Sequence, residues 1–420
     1  MAGDREGDPA GPSRASGARF PAGASPPLIV ATIFRDEDST GVHTHFRQVC
    51  RYVEEEGTTT TLVTPFSWSR PLTYPVFGPR LVLRRFSGVA SVVWYRHWHE
   101  VFLRNGLRKC LAQVGDCIVY AQGPLEARAA LRARRGPHQR VFMAVHFRGS
   151  QADEHAEPGR ELKRRGAVFR AIRQLEEEVI LQLDGLVYVS RWARDALLSW
   201  LPEAARVPSV VIGNFVAPVP LEPRQVPLGD LVTTGRMDAP KNHRFLLEVL
   251  NAAKQAGRSY TLDMFGDGPL QNDLKRQASS LGLEGQVRFH GYRSDVRNLL
   301  PNYRAYVHAS YLEVSPFAII EAMAAGLPVV AVSVGGIPEL FDDGVEGRFW
   351  SLDDPAEAAA TLIELLDSEP ARAAAGKAAY DRFRREFDVT VAAPRLWSFL
   401  LGETSPDPAG ATPRPSVKPR

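Results

Sequence analysis

DLVTTGRMDAPKNHRFLLEVLNAAKQAGRSYTLDMFG, residues Asp230–Gly266, decides the fold. DLVTTG is an apolar run of strand length that ends in a glycine. Asn242–Ala256 then carries apolar residues at helical spacing, and YTLDMFG returns as a second strand. Strand, helix and strand in this order predict parallel strands joined by a crossover helix, in a sheet covered on both faces.

The alternation continues on both sides. Downstream come a helix over Pro269–Leu281, strands VRFHG and AYVHAS, a helix from Pro316 to Ala325, strand LPVVAVS and a short helix from Ile337. Helices Ala356–Leu366 and Ala371–Phe387 follow. Upstream, LIVATIF (Leu28–Phe34) reads as a buried strand, Val42–Glu56 as a helix and TTTLVTP as a strand. SVVWY, CIVYA, VFMAVHF and GLVYVS read as further strands. Between the two series, Val216–Pro227 holds four prolines in twelve residues, which no internal strand or helix interior tolerates. This is a linker. The expectation is an α/β protein of two doubly wound domains facing across a cleft, with ligands at the carboxyl ends of the strands. The first domain spans 28–217 and the second 218–387. Residues 1–27 and 403–420, rich in Gly, Pro and Ala, are expected to be disordered.

Composition removes several alternatives. The 420 residues are 44% hydrophobic and 24% charged, ordinary for a globular chain with two cores. A formal net charge of +3 is too small for a dedicated nucleic-acid binder. Cys50, Cys110 and Cys117 are too few for a disulfide framework and read as reduced thiols. No stretch reaches transmembrane length, and the first residues lack the apolar core of a signal peptide. The expected location is cytoplasmic. Only seven of the 51 basic residues are lysine, a bias of high-GC genomes that concerns the host rather than the fold.

The chemistry concentrates in the second half. In EVSPFAIIE, Glu313 lies in a loop after a strand, Pro316 suits a first helical turn, and Glu321 falls within the helix. Backbone N–H groups over Ser315, Pro316, Phe317 and Ala318 would point at the cleft, where a helix N-terminus favours oxygen ligands. On spacing alone the two glutamates read equally well as one solvated and one capping carboxylate. Arg236 and Lys241 follow a glycine turn at Gly235, an arrangement suited to a diphosphate or to a solvated basic loop. Gly266-Asp267-Gly268 and Gly335-Gly336 are further turns at strand-to-helix junctions. The His43/His45 and His97/His99 pairs fall in helical segments, and no metal site is expected from them.

Together GRMDAPKN, FGDGP, VRFHG, Glu313 to Glu321, EAMAAGLPVVA and GGIPELFDDGVEG resemble the donor domain of GT-B-fold retaining glycosyltransferases of family 4. They occur in order over about Asp230–Gly347. The first half resembles the family more loosely, through TGVHTH, VHF at His146, VYVS at Ser190 and VIGNF at Asn214. The resemblance implies a GT-B fold and a nucleotide-sugar donor. Arg236, Lys241 and Gly41 would bind the donor diphosphate, and Glu321 the ribose. The backbone of His290, Gly291 and Tyr292 would meet the base. Glu313 and Ser315–Ala318 would hold the sugar, and His146 would lie near its reacting carbon. A last helix within 388–402 would return to the first domain. Two positions depart from the family pattern: Thr40-Gly41 replaces a glycine pair, and Ser315-Pro316-Phe317 lacks the usual glycine. The mechanism implied is metal-independent, with same-face attack on an oxocarbenium-like sugar. A sugar-nucleotide epimerase or a noncatalytic sugar-nucleotide sensor could share this architecture.

For the acceptor, two acidic cleft loops run against a basic surrounding: Asp36, Glu37 and Asp38 after the first strand, and Asp153, Glu154 and Glu157 after His146. Arg80–Arg140 holds 12 basic residues against 3 acidic ones. Opposed charge steers ligands, so these loops suit a small polycationic acceptor such as an aminocyclitol or aminoglycoside. The sequence also resembles, loosely, glycosyltransferases of actinobacterial aminoglycoside pathways. That resemblance makes UDP-N-acetylglucosamine the expected donor and antibiotic biosynthesis the expected setting. The aromatic, basic stretch SVVWYRHWHEVFLRNGLRKCL offers the competing reading, an anionic membrane surface and a lipid-linked acceptor.

Overall fold

The computed structural model describes residues 25–35, 40–67, 70–156, 162–164, 166–221 and 227–403. The expected acceptor residues Asp36, Glu37, Asp38 and Glu157 lie outside them, as do 1–24, 222–226 of the linker, and 404–420.

The first half alternates β1 (Leu28–Ala31), α1 (Gly41–Glu55) and β2 (Thr60–Val63). Three helices follow, α2 (Arg70–Phe77), α3 (Pro79–Phe86) and α4 (Gly88–Leu111). Then come β3 (Cys117–Ala121), α5 (Pro124–Ala133), β4 (Gln139–Val145), α6 (Gln151–His155) and α7 (Ala167–Ile180). β5 (Gly185–Tyr188), α8 (Arg191–Leu198) and β6 (Ser209–Val211) complete it. Among the described residues these strands form one six-stranded parallel sheet in the order β2-β1-β3-β4-β5-β6.

The second half runs β7 (Leu231–Thr234), α9 (His243–Gln255), β8 (Leu262–Phe265), α10 (Gln271–Ser280) and β9 (Val287–Gly291). α11 (Val296–Leu299), β10 (Ala305–His308), α12 (Phe317–Ala324), β11 (Val329–Val332) and β12 (Gly347–Trp350) follow. Their sheet is also parallel, in the order β12-β11-β10-β7-β8-β9. α13 (Pro355–Asp367) and α14 (Glu369–Arg382) cover it, and a π-helical turn over Phe383–Phe387 leads to α15 (Val389–Leu401).

Each sheet is buried on both faces, as near-continuous apolar strands require. Ile29, Val119, Val141 and Leu186 pack with α4 and α5 on one side of the first sheet. Phe46, Val49, Phe142 and Phe215 pack with Ala392, Leu396, Trp397 and Leu400 on the other. α15 thus belongs to the core of the first domain although it follows the second. The chain crosses between domains twice, and the crossings bond to each other: Val216 N donates to Phe387 O and Val389 N to Val216 O, both at 3.0 Å.

One expected strand is wrong. SVVWY lies inside α4. Ser87 caps that helix by accepting from Ala90 N, and Leu103, Leu107 and Leu111 recur at four-residue spacing in the core. A short apolar run reads as strand or buried helix until its neighbours are read with it. α2, α3, β6 and β12 were not anticipated.

Candidate active site

Two helix N-termini meet where the domains face. α1 begins at Gly41 and is capped by Thr40, whose Oγ1 accepts from His43 N at 3.3 Å. α12 begins at Phe317 after Pro316. A Cβ on Gly41 would stand 3.4 Å from Phe317 Cδ2, so Gly41 lies against the residues expected to hold the sugar.

Glu313 is the electrostatic centre of the second-domain side. Its Oε1 accepts from Lys241 Nζ at 2.5 Å and stands 3.2 Å from His308 Nε2. Burial alone would raise the Glu313 carboxyl. The His308 hydrogen bond and the Lys241 charge overcome that and hold it well below the usual carboxylate range. His308 carried no signal in sequence beyond its place at a strand end. Arg236 shares the loop with Lys241 but is 67% exposed, with Asp238 Oδ2 3.4 Å from its Nε.

Glu321 sits one turn into α12, with Arg297 Nε 3.5 Å from its Oε1. Burial pushes its carboxyl up to about 7, against the pull of Arg297. His290 stacks on Phe265 at 4.5 Å between centroids, and its Nε2 stands 3.2 Å from Asp263 Oδ1. Gly291 O accepts from Gly266 N at 2.8 Å, while Tyr292 is exposed. The glycine turns serve close backbone packing. A Cβ on Gly266 would fall 1.9 Å from Gly235 O. On Gly335 and Gly336 it would fall 2.0 Å from Glu313 O and 1.9 Å from Val314 O. Gly335-Gly336 therefore packs directly against the Glu313 loop, and Gly336 N donates to Glu313 O at 2.9 Å.

On the first-domain side, His146 follows β4 and its Nε2 pairs with Gln122 Oε1 at 3.1 Å. His45 meets it edge-on at 4.7 Å. Burial first, and then His45, lower His146 well below the ordinary histidine range. His45 Nδ1 donates to Asn214 Oδ1 at 3.1 Å, and its Nε2 accepts from Tyr120 OH at 2.9 Å. Asn214 Nδ2 in turn donates to Ser315 O at 2.6 Å. A hydrogen-bonded chain thus runs from His45, which His146 meets by ring contact alone, through Asn214 to the turn that opens α12. Neither Gln122 nor His45 was singled out for this role. His45 drew notice only as part of a histidine pair.

The acidic acceptor loop fares differently. Asp153 is paired with Arg173, and Arg164 lies 4.0 Å from it. Glu154 Oε1 accepts from Arg148 N at 3.0 Å. These charges are engaged inside the first domain.

Comparison with known proteins comes to the same fold. Residues 228–382 match the family model described as glycosyl transferases group 1. A glycogen synthase of Mycobacterium tuberculosis is 27% identical over 252 residues, which is 58% of this chain and 61% of that protein. A D-inositol 3-phosphate glycosyltransferase of Corynebacterium kroppenstedtii is 35% identical over 161 residues, 36% of each chain. This chain therefore spans about three fifths and one third of the lengths of these curated relatives. The crystal structure of Anabaena HepE in complex with UDP-glucose superposes with a TM-score of 0.64 at 17% identity, covering 90% of this chain and 99% of that one. The fold is GT-B, and residues 228–382 are the part of it that matches the group 1 glycosyl transferase model.

Proposed function

We propose that this protein is a retaining glycosyltransferase of the family 4 type. It moves a hexosyl or N-acetylhexosaminyl group from a nucleotide sugar, UDP-N-acetylglucosamine foremost, to a hydroxyl of a small polar acceptor. The observation that carries this reading is the Lys241–Glu313–His308 cluster beside the N-terminus of α12, facing Gly41 across the domain boundary.

In this reading Lys241, Arg236 and the helix N-termini stabilise the departing diphosphate without a metal. Glu321 accepts from the ribose hydroxyls and the His290–Tyr292 backbone meets the base. The Lys241 contact holds Glu313 ionised as an acceptor for sugar hydroxyls. His146 is a neutral imidazole whose Nε2–H is committed to Gln122 Oε1, which leaves Nδ1 to accept from the sugar. The bond from the anomeric carbon to the diphosphate breaks. The acceptor oxygen bonds to the same face, and its proton passes to the leaving phosphate oxygen.

Pairing of Asp153 with Arg173 removes one charge that favoured a polycationic acceptor. The acceptor class widens to small hydroxyl-rich rings, with an aminocyclitol of antibiotic biosynthesis as its charged member. A lipid-linked acceptor is the second reading. Phe86, 81% exposed next to Arg85, favours it, and flotation with anionic liposomes at low and high salt tests it. No helix among the described residues is long and apolar enough to cross a membrane.

The deciding experiment offers a panel of nucleotide sugars with polyol, aminocyclitol and lipid acceptors, read by mass spectrometry and anomeric NMR. Retention of configuration is expected, with kcat/KM reduced about 100-fold in Lys241→Ala, on the scale of losing one transition-state charge contact. A new sugar nucleotide released without acceptor would replace transfer by epimerisation. Binding without turnover of any donor would leave a sensor.

A further inference from the structure

The two glutamates of the site are held differently. Glu313 gives one oxygen to both Lys241 and His308. Glu321 makes no side-chain hydrogen bond among the described residues. Its side chain is 17% exposed, and neither of its oxygens is sealed from solvent. It faces a single cation, Arg297 of α11, whose Nε stands 3.5 Å from its Oε1. The other titratable group beside it is Tyr306 of β10, which is fully buried and donates to Thr234 O at 3.3 Å.

Arg297 is fixed from its far end. Its Nη2 donates to Ala217 O, in the crossing between the domains where Val216 bonds to Phe387 and Val389. That bond holds the guanidinium against Glu321, yet Nε itself makes no hydrogen bond. The pair is therefore Coulombic. Arg297 supplies charge without using a lone pair of the carboxylate, so the acceptor capacity of Glu321 stays open to a ligand. Burial pushes the Glu321 carboxyl up to about 7, and Arg297 pulls against it. Without that pull the carboxyl would be protonated over more of the neutral range. A protonated carboxyl exchanges part of its acceptor capacity for a donor. A lysine at this place would keep a charge but not the two-ended grip.

We infer that Arg297 is a positioning residue for donor recognition: anchored on Ala217 O, it keeps Glu321 an ionised acceptor for the vicinal hydroxyls of the donor ribose. Recognition of the ribose then strengthens as pH rises through about 7. The inference rests on the reading of Glu321 as the ribose carboxylate and adds the group that controls it.

The test is calorimetric titration of UDP and of 2′-deoxy-UDP into the full chain between about pH 6 and about pH 9. Both probes carry the same base and diphosphate, so the ratio of their affinities cancels the titration of the phosphate and reports the 2′-hydroxyl. In wild type the ratio is expected to favour UDP about tenfold at the upper end and to fall as pH drops through about 7. Arg297→Gln is expected to lower the ratio about threefold or more at neutral pH and to regain it at the upper end, its midpoint displaced upward. Arg297→Lys keeps a cation without the grip on Ala217 O and should displace the midpoint by less. It decides the matter alone if Arg297→Gln does not fold, an unmoved midpoint overturning the inference. A ratio in Arg297→Gln that matches wild type overturns it, as does a loss that never recovers at high pH, which marks a merely structural role. If wild type fails to bind UDP, the glycosyltransferase reading fails. If it binds both probes equally at every pH, the ribose role of Glu321 fails. If the preference is present but indifferent to pH or to Arg297, only this inference fails.

Discussion

His45 lies between a hydroxyl, Tyr120, and an amide carbonyl, Asn214, and one tautomer of the neutral ring satisfies both. Burial lowers its pKa from 6.5 to about 4, although the Asn214 hydrogen bond pulls the other way. The sign follows from linkage. Above pH 6.5 the ring is neutral folded or unfolded and contributes no pH dependence. Between 6.5 and about 4 the unfolded chain binds a proton that the folded protein refuses, so stability falls as pH falls, by about 3 kcal/mol once complete. Below about 4 the folded ring also protonates and the loss levels off. His45→Gln is expected to flatten this part of the melting-temperature profile. Equal slopes for variant and wild type between pH 6.5 and 4 would mean that His45 titrates normally. Sequence reading met this residue as half of a metal-like pair. The partners that define its role come from three other segments, and spacing along one helix cannot report them.

The turn at Gly335-Gly336 shows the same limit for an element. In sequence it read only as a turn at a strand-to-helix junction; in the fold it is the wall against which the Glu313 loop rests. Gly335 has φ +58°, and a Cβ there would fall 2.0 Å from Glu313 O. Gly335→Ala is expected to destabilise the protein by about 2 kcal/mol or more, through left-handed strain and overpacking. It should also weaken UDP binding at least tenfold by displacing the loop. Gly344→Ala is the control: φ is +76°, but nothing lies within 4 Å of its Cβ, so it should lower the melting temperature and spare UDP binding. Equal UDP affinities for the two variants would detach the glycine pair from the donor loop. The parallel strands and crossover helices of both domains were legible, because apolar runs and helical spacing repeat locally. SVVWY misled because a buried helix and a strand share that composition. β6 and β12 escaped as three- and four-residue strands at the sheet edges, too short for any periodicity.

Across the whole molecule, Glu339 joins the domains more directly than the hinge. It follows the glycine pair in the second domain, yet its carboxylate accepts from Arg191 N at 2.8 Å and Trp192 N at 2.7 Å. These are two of the free N–H groups that open α8 in the first domain, where a negative charge also meets the helix dipole. Such a cap contributes about 0.5–2 kcal/mol within one domain. Here the same energy acts on the equilibrium between closed and open domains, because opening breaks both bonds. Glu339→Ala is therefore expected to enlarge the radius of gyration in small-angle scattering without donor, and to return toward the wild-type value with saturating nucleotide sugar. Apparent donor affinity should fall about three- to tenfold, in proportion to the smaller closed fraction, since none of the donor-facing groups is touched. Glu339→Gln keeps one carbonyl acceptor and should lie between the two. A variant with unchanged scattering and unchanged donor affinity would leave Glu339 as a local helix cap, with the closed arrangement resting on the Asn214–Ser315 contact and the paired crossings at Val216 and Val389.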